Sequence, residues 1–395
     1  MTGGSILTFR DCATGSSAFR RLLDVYQDRE AAIAQLKAGS KPLIGKVGCD
    51  VPDELLIAAG FQPVQIWSDE QISTAPADKY LEYCFDPMVR RQFSMLVSGK
   101  AKTFCDHVFI SNSTDALIRM YLYLREVKRT EPDNQLPELH FIDWIFTRRP
   151  SYRNRSLFVL DLLKKELEAI CGHEIADDAI REANVLCEEN RAALRTLQAL
   201  RLEGRVSGCE MLVAIGAGFY LTKEDHTSLV QQLCADAAQW PVLAGPAIFY
   251  TGSAQEGLWV YEQLESSGVC VVSEDHDWGV RSFDGAVDDT LPAMEGLADR
   301  YLLRSFSSKK AFVSQRVETL LAQRAESGAD AVLFFTNIYE EPASWDYPSQ
   351  KQALDEQGIP SLSIIKQQYP AALNEGLSEQ LRGFAETLKG GVQNG

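Results

Sequence analysis

Eight short runs of β-forming residues alternate with helix-like segments, and this alternation constrains the chain more than any other feature. "KPLIGKVG", "QPVQIW", "HVFISNS" and "ELHFIDW" fall in residues 1–150, and "PAIFYTGS", "VCVVSEDHDWG", "ADAVLFFTNIYEE" and "IPSLSIIKQQ" beyond residue 245. Strands separated by helices pair in parallel, because each return crossing needs the length of a helix. The pattern therefore predicts an α/β chain with two doubly wound, Rossmann-like or flavodoxin-like domains and functional loops at strand C-termini. Between residues 151 and 205 the β signal vanishes. "RNRSLFVLDLLKKELEAICG" and "DDAIREANVLCEENRAALRTLQALR" carry apolar residues at three- and four-residue spacing, the signature of amphipathic helices. The expected organisation is an N-terminal α/β domain over 1–150, a helical connector over 151–205 and a C-terminal α/β domain over 206–395, with a ligand cleft between the halves. Residues 15–38 read as one charged amphipathic helix closed by Gly39. Pro52 and Gly60 bracket another, and Thr114 or Asp115 caps a third.

With 395 residues, 45% of them hydrophobic, the chain can bury a core without disulfides or a structural metal. The net charge of −16 opposes nucleic acid and anionic membrane surfaces, which attract basic faces. The opening "MTGGSILTFRDCATGSS" has no charged segment followed by an apolar run, and no window is long and apolar enough to span a bilayer, so a cytoplasmic protein is expected. Nine scattered cysteines fit a reducing compartment, and neither a CxxC pair nor zinc-type histidine spacing occurs.

Cys49, in "KVGCDVPDELLIAAGFQPV", opens a predicted helix, where the dipole favours a thiolate, and Asp53 and Glu54 follow it directly. Cys84, in "LEYCFDPMVRRQF", sits at a second helix start. Cys105 also lies near a predicted loop of the first half, whereas Cys171, Cys187, Cys234 and Cys270 fall inside element patterns as small core residues. "VVSEDHDWGVR" packs Glu274, Asp275, His276, Asp277 and Arg281 onto one strand end, a density that fits a site and a solvated loop equally. "FFTNIYEEPASWDYP" reads more readily as a helix start, and "FYTGSAQEG" as a plain βα turn, than as ligand loops. Arg148, Arg149, Arg153 and Arg155 form a basic island on an acidic chain. They suit phosphate binding or the neutralisation of nearby acids with equal weight.

These residues resemble the 2-hydroxyacyl-CoA dehydratase/benzoyl-CoA reductase family. "GCDVPDELLIAAGFQPVQIW" is similar to its N-terminal cysteine motif, "YCFDPMVRRQF" to its second and "VFISNSTDALIRMYLYL" to its third. "VVSEDHDWGVR", "GADAVLFF" and "GIPSLSIIKQQY" resemble motifs of its second domain. The resemblance implies a subunit of a heteromeric CoA-thioester enzyme that pairs with a homologous sister subunit and receives electrons from a separate ATP-hydrolysing iron–sulfur activator. It also implies a [4Fe–4S] cluster, in this chain or its partner, and one-electron reduction of the thioester to a ketyl radical. Cys49 and Cys84 stand at two ligand positions, while Thr114 occupies the third. The segments "YEEPASWDYPSQ" and "IIKQQYP" look more like reductase subunits, so an ATP-dependent aryl-CoA reductase of the benzoyl-CoA type is the leading expectation. A 2-hydroxyacyl-CoA dehydratase and a cluster-free structural partner are the alternatives. On this resemblance Asp53 or Glu54 would be a proton donor near the thioester and His276 or Asp277 a second acid–base group, with Arg148, Arg149 and Arg153 on the CoA phosphates.

Overall fold

The computed structural model describes residues 9–68, 71–304, 309–369 and 375–392. Each of the eight β-like runs forms a strand: β1 (Leu43–Val47), β2 (Gln62–Gln65), β3 (His107–Ser111), β4 (Glu138–Ile142), β5 (Ala247–Gly252), β6 (Cys270–Glu274), β7 (Ala331–Asn337) and β8 (Ser361–Gln367). They make two four-stranded, wholly parallel sheets of orders β2-β1-β3-β4 and β6-β5-β7-β8. The two orders are the same when each half is counted from its own first strand, as the shared grammar of the two halves suggests.

With single short turns left unnumbered, the helices are α1 (Ser17–Gln27), α2 (Arg29–Lys37), α3 (Asp53–Ala58), α4 (Pro87–Val97), α5 (Asp115–Thr130), α6 (Arg153–Cys171) and α7 (Asp177–Leu202). They continue as α8 (Gly208–Ala217), α9 (Lys223–Ala237), α10 (Trp259–Ser266), α11 (Ala293–Asp299), α12 (Val313–Ser327), α13 (Glu341–Glu356) and α14 (Glu375–Val392). The helix expected over 15–38 is two. Asp28 leaves helical geometry at φ −119°, ψ 76° and its carboxylate accepts the Ala31 N–H, ending α1 and capping α2. The helical layer is also longer than expected, because α8 and α9 extend the strand-free stretch beyond residue 205. Every residue of α8 is buried, so it has no polar face to betray a helical period.

Strand side chains alternate between two faces. In the second sheet Ile248, Tyr250, Leu333 and Phe335 join a core that also holds Phe19, Leu22, Val47, Ile66 and Leu212. Their neighbours Phe249, Val332 and Phe334 pack outward with Leu354. The first sheet sends Ile44 and Phe109 to a separate cluster with Leu55, Leu160 and Leu163. The largest core is thus shared between the halves, and α1 packs on α8 and α9 rather than on the first sheet alone. No helix among the described residues is long and apolar enough to cross a membrane.

Candidate active site

In a doubly wound sheet, the strand order reverses between two neighbours, and the loops leaving them open a crevice at their C-terminal ends. Here the reversals lie between β1 and β3 and between β5 and β7. The two crevices face each other. Gly48, Cys49, Ser113 and Thr114 from the first sheet meet Ala254, Asp277 and Glu340 from the second around a cleft of about 90 Å³, with Asp86 and Lys309 at its sides. Two glycines make these loops possible. Gly48 turns the chain after β1 at φ +89°, and a side chain at Gly252 (φ +122°) would collide with the Phe335 carbonyl oxygen.

Cys49 lies in that turn, four residues ahead of α3, whose N-cap is Pro52. Its thiol donates to the Asp277 carbonyl at 2.9 Å, joining the halves. Burial pushes the thiol well above its ordinary pKa, so it is neutral, contrary to the thiolate expected from a helix start. Cys84 is exposed, beside an exposed Tyr83. Thr114 caps α5, accepting the Leu117 N–H at 3.2 Å.

Asp53 lines a second, deeper cavity, and Glu54 is fully buried next to it. Burial alone would raise both carboxyls. Lys223 at 3.0 Å and Lys46 outweigh it at Asp53 and hold that group far below the usual range. At Glu54, Arg191 at 2.7 Å, with Arg300 nearby, does the same, and Tyr301 donates its hydroxyl at 3.1 Å. Both are ionised at neutral pH. His276 is buried and lines neither cavity. Its Nδ1 accepts the Trp278 N–H, which places the proton on Nε2, 2.8 Å from the Tyr261 hydroxyl. Burial lowers its pKa to about 4, so the ring is neutral and both nitrogens are engaged. Asp277 does line the cleft, and Arg281 donates to its carboxylate at 2.6 Å.

The arginine island divides. Arg153 is tied to Asp299 and Glu295, and Arg155 to Asp143 at 3.3 Å. Arg148 and Arg149 are exposed, and none of the four lines the cleft or the deeper cavity.

Asp86 and Lys309, which spacing did not single out, complete the cleft. Asp86 caps α4 through the Met88 and Val89 N–H groups, and burial raises its carboxyl despite those bonds. Lys309 pairs with Glu340; burial pushes its ammonium down although Asp86, Asp277, Asp275 and Asp346 all face it. On the far side of Lys309, in an adjoining pocket outside the cleft, Asp275 accepts the Thr251 hydroxyl at 2.7 Å, and burial brings its carboxyl up to about 6. A carboxyl near neutrality beside a buried cation can exchange protons at physiological pH.

A [4Fe–4S] cluster takes thiolates from several loops. At the three motif positions this chain offers a half-buried neutral thiol, an exposed thiol and a threonine whose oxygen caps a helix. Among the described residues no group of three or more His, Cys, Asp and Glu is placed to hold a metal ion. This donor set does not fit a cluster held by the chain alone.

The family model described as "2-hydroxyglutaryl-CoA dehydratase, D-component" matches residues 49–388. The chain belongs to this family. The (R)-2-hydroxyglutaryl-CoA dehydratase beta subunit of Acidaminococcus fermentans is 25% identical over 94% of this chain and 100% of its own length. The (R)-phenyllactyl-CoA dehydratase beta subunit of Clostridium sporogenes is 23% identical over 87% and 91%. A benzoyl-CoA reductase subunit of Thauera aromatica is 24% identical over 58% and 62%. The resemblance read from the cysteine-motif regions therefore holds across the chain, and its relatives are subunits of enzymes.

Proposed function

We propose that this chain is a beta-type, pocket-forming subunit of a 2-hydroxyacyl-CoA dehydratase that works against a homologous sister subunit. The supporting observation is coverage: dehydratase beta subunits align over nearly the whole chain, the reductase subunit over little more than half. This reading displaces the aryl-CoA reductase as the preferred activity. Dehydration needs a proton for the departing hydroxyl, and Asp86, which lines the cleft and whose carboxyl burial raises, suits that role better than Asp53 and Glu54. Lys309 supplies positive charge to an oxygen that gains negative charge in the cleft. Asp53 and Glu54 act as anchors that fix Lys46, Lys223 and Arg191. The cluster and its ATP-driven electron donor belong to the assembly, with ligands outside this chain.

The test is the chain co-expressed with its sister subunit and an iron–sulfur ATPase, supplied with ATP and a strong reductant. A 2-enoyl-CoA should form from an (R)-2-hydroxyacyl-CoA, and Asp86→Asn, which keeps an oxygen to cap α4, should lower kcat by about 10²-fold with little change in KM. Ring reduction of benzoyl-CoA in place of dehydration would overturn the assignment. Iron and sulfide should stay at parental levels in a Cys49→Ser/Cys84→Ser complex; their loss would return the cluster to this chain.

A further inference from the structure

Behind the cleft, separated from it by Cys49 and Phe219, lies the deeper cavity of about 40 Å³. It is walled by β1, α7, α9, the start of α3 and the turn opening at Arg300. Four cations line it: Lys46, Arg191, Lys223 and Arg300. Against them stand Asp53, shared by both lysines, and Glu54, paired with Arg191. Glu188 also reaches Arg191, at 3.0 Å, but is shared with Arg195. His226 adds no charge: its ring is held neutral by burial, between Asn190 and the Ala214 carbonyl.

Two guanidinium groups retain unused capacity. Arg191 is 6% exposed, and its Nη2 is buried with no hydrogen-bond partner. Arg300 is 4% exposed and donates Nε and Nη2 to the Gly285 and Asp284 carbonyls, each at 3.2 Å; its charge reaches Glu54 and Asp50, but among the described residues no carboxylate bonds to it directly. A buried cation with no directly bonded carboxylate is poorly compensated, and an unpartnered buried donor such as Arg191 Nη2 calls for a bound group. A water needs roughly 10–15 Å³ by the same measure, so the cavity has room for about three waters or one small oxyanion. Of these, only an oxyanion offers both acceptors and negative charge.

We propose that this cavity is a binding site for a small oxyanion, a carboxylate or phosphate group, held by Arg191 and Arg300 with Lys46 and Lys223 as flanking charges. The site is independent of the activity assigned to the neighbouring cleft. Its source is either a free ion or the anionic end of a small metabolite.

The experiment is isothermal titration and thermal shift of the intact chain with inorganic phosphate and, separately, acetate, at constant ionic strength set by chloride. A saturable response to at least one of them is expected. Saturation by phosphate alone identifies a phosphate group, and by acetate alone a carboxylate. Arg300→Gln, which leaves every ion pair intact, should weaken binding at least tenfold while the ligand-free melting temperature stays near the parental value. Lys223→Gln, where Lys46 still serves Asp53, provides a second variant should the first fail to fold. A selenate soak should show an anomalous peak inside the cavity, with a selenate oxygen within hydrogen-bond distance of Arg191 Nη2. Absence of any saturable response, or unchanged affinity in the folded variants, overturns the proposal.

Discussion

At the residue scale, burial decides the chemistry of the cleft more than residue type does. Cys49 is a hydrogen-bonded, neutral thiol, so at pH 7.5 iodoacetamide should modify the exposed Cys84 at least about tenfold faster than Cys49, as peptide mass spectrometry over time will read. Asp275 gives a pH signature. Its carboxyl ordinarily titrates near 3.8 and in the folded protein near 6. Between those values the folded protein keeps a proton that the unfolded chain has lost. Stability therefore falls as pH rises from about 4 to 6 and stays lower above that window. Asparagine at 275 still accepts the Thr251 hydroxyl but carries no charge. Asp275→Asn should be more stable than the parent by about 1–3 kcal/mol at pH 8, the gain vanishing near pH 4, in denaturant titrations at the two pH values. The sequence exposed the acids around His276 but not which of them faces the cleft. Asp277 faces the cleft, its neighbour His276 is locked in the core, and Asp275 opens into the adjoining pocket beside Lys309, a difference set by tertiary packing alone.

At the element scale, the strands were legible because each combines β-branched or aromatic residues with a flanking turn, and all eight formed where those runs lie. What stayed hidden has physical causes. Asp28 splits a helix whose apolar spacing continues across it, and α8 is buried on all sides. Asp86, Lys309 and Glu340 come from three distant segments that no spacing rule connects; only the two strand-order reversals bring them together. Thr114 illustrates a residue whose local role was legible. As the cap of α5 it accepts one of the four N–H groups that a helix start leaves without partners. Thr114→Ala should cost about 1 kcal/mol in equilibrium unfolding, and Thr114→Ser no more than a few tenths, since serine offers the same oxygen. A large loss in the serine variant would show that the threonine methyl matters more than the cap.

At the scale of the whole molecule, the halves are coupled by shared packing and by buried polar clasps. The largest core draws on α1, on both sheets and on α8 and α9. Glu256, 1% exposed in the second half, pairs with Arg29 and accepts the Ser68 N–H and hydroxyl at 2.9 and 2.7 Å, both from the first half. Tyr26 donates to the Glu256 carbonyl, and Asp50 pairs with Arg281 across the same boundary. Two domains joined only by a linker would melt separately, whereas a shared core makes each half depend on the other. Glu256→Ala removes the carboxylate from a buried arginine, a change that typically costs about 3–5 kcal/mol. At about 2.1 cal/mol/K per residue, unfolding a chain of this length converts that loss into a drop of roughly 4–6 °C in melting temperature. Scanning calorimetry should show the single endotherm of the parent displaced downward as one peak. Two resolved peaks, one unmoved, would mean that the sheets unfold independently and that the clasp holds the cleft closed without supporting the fold.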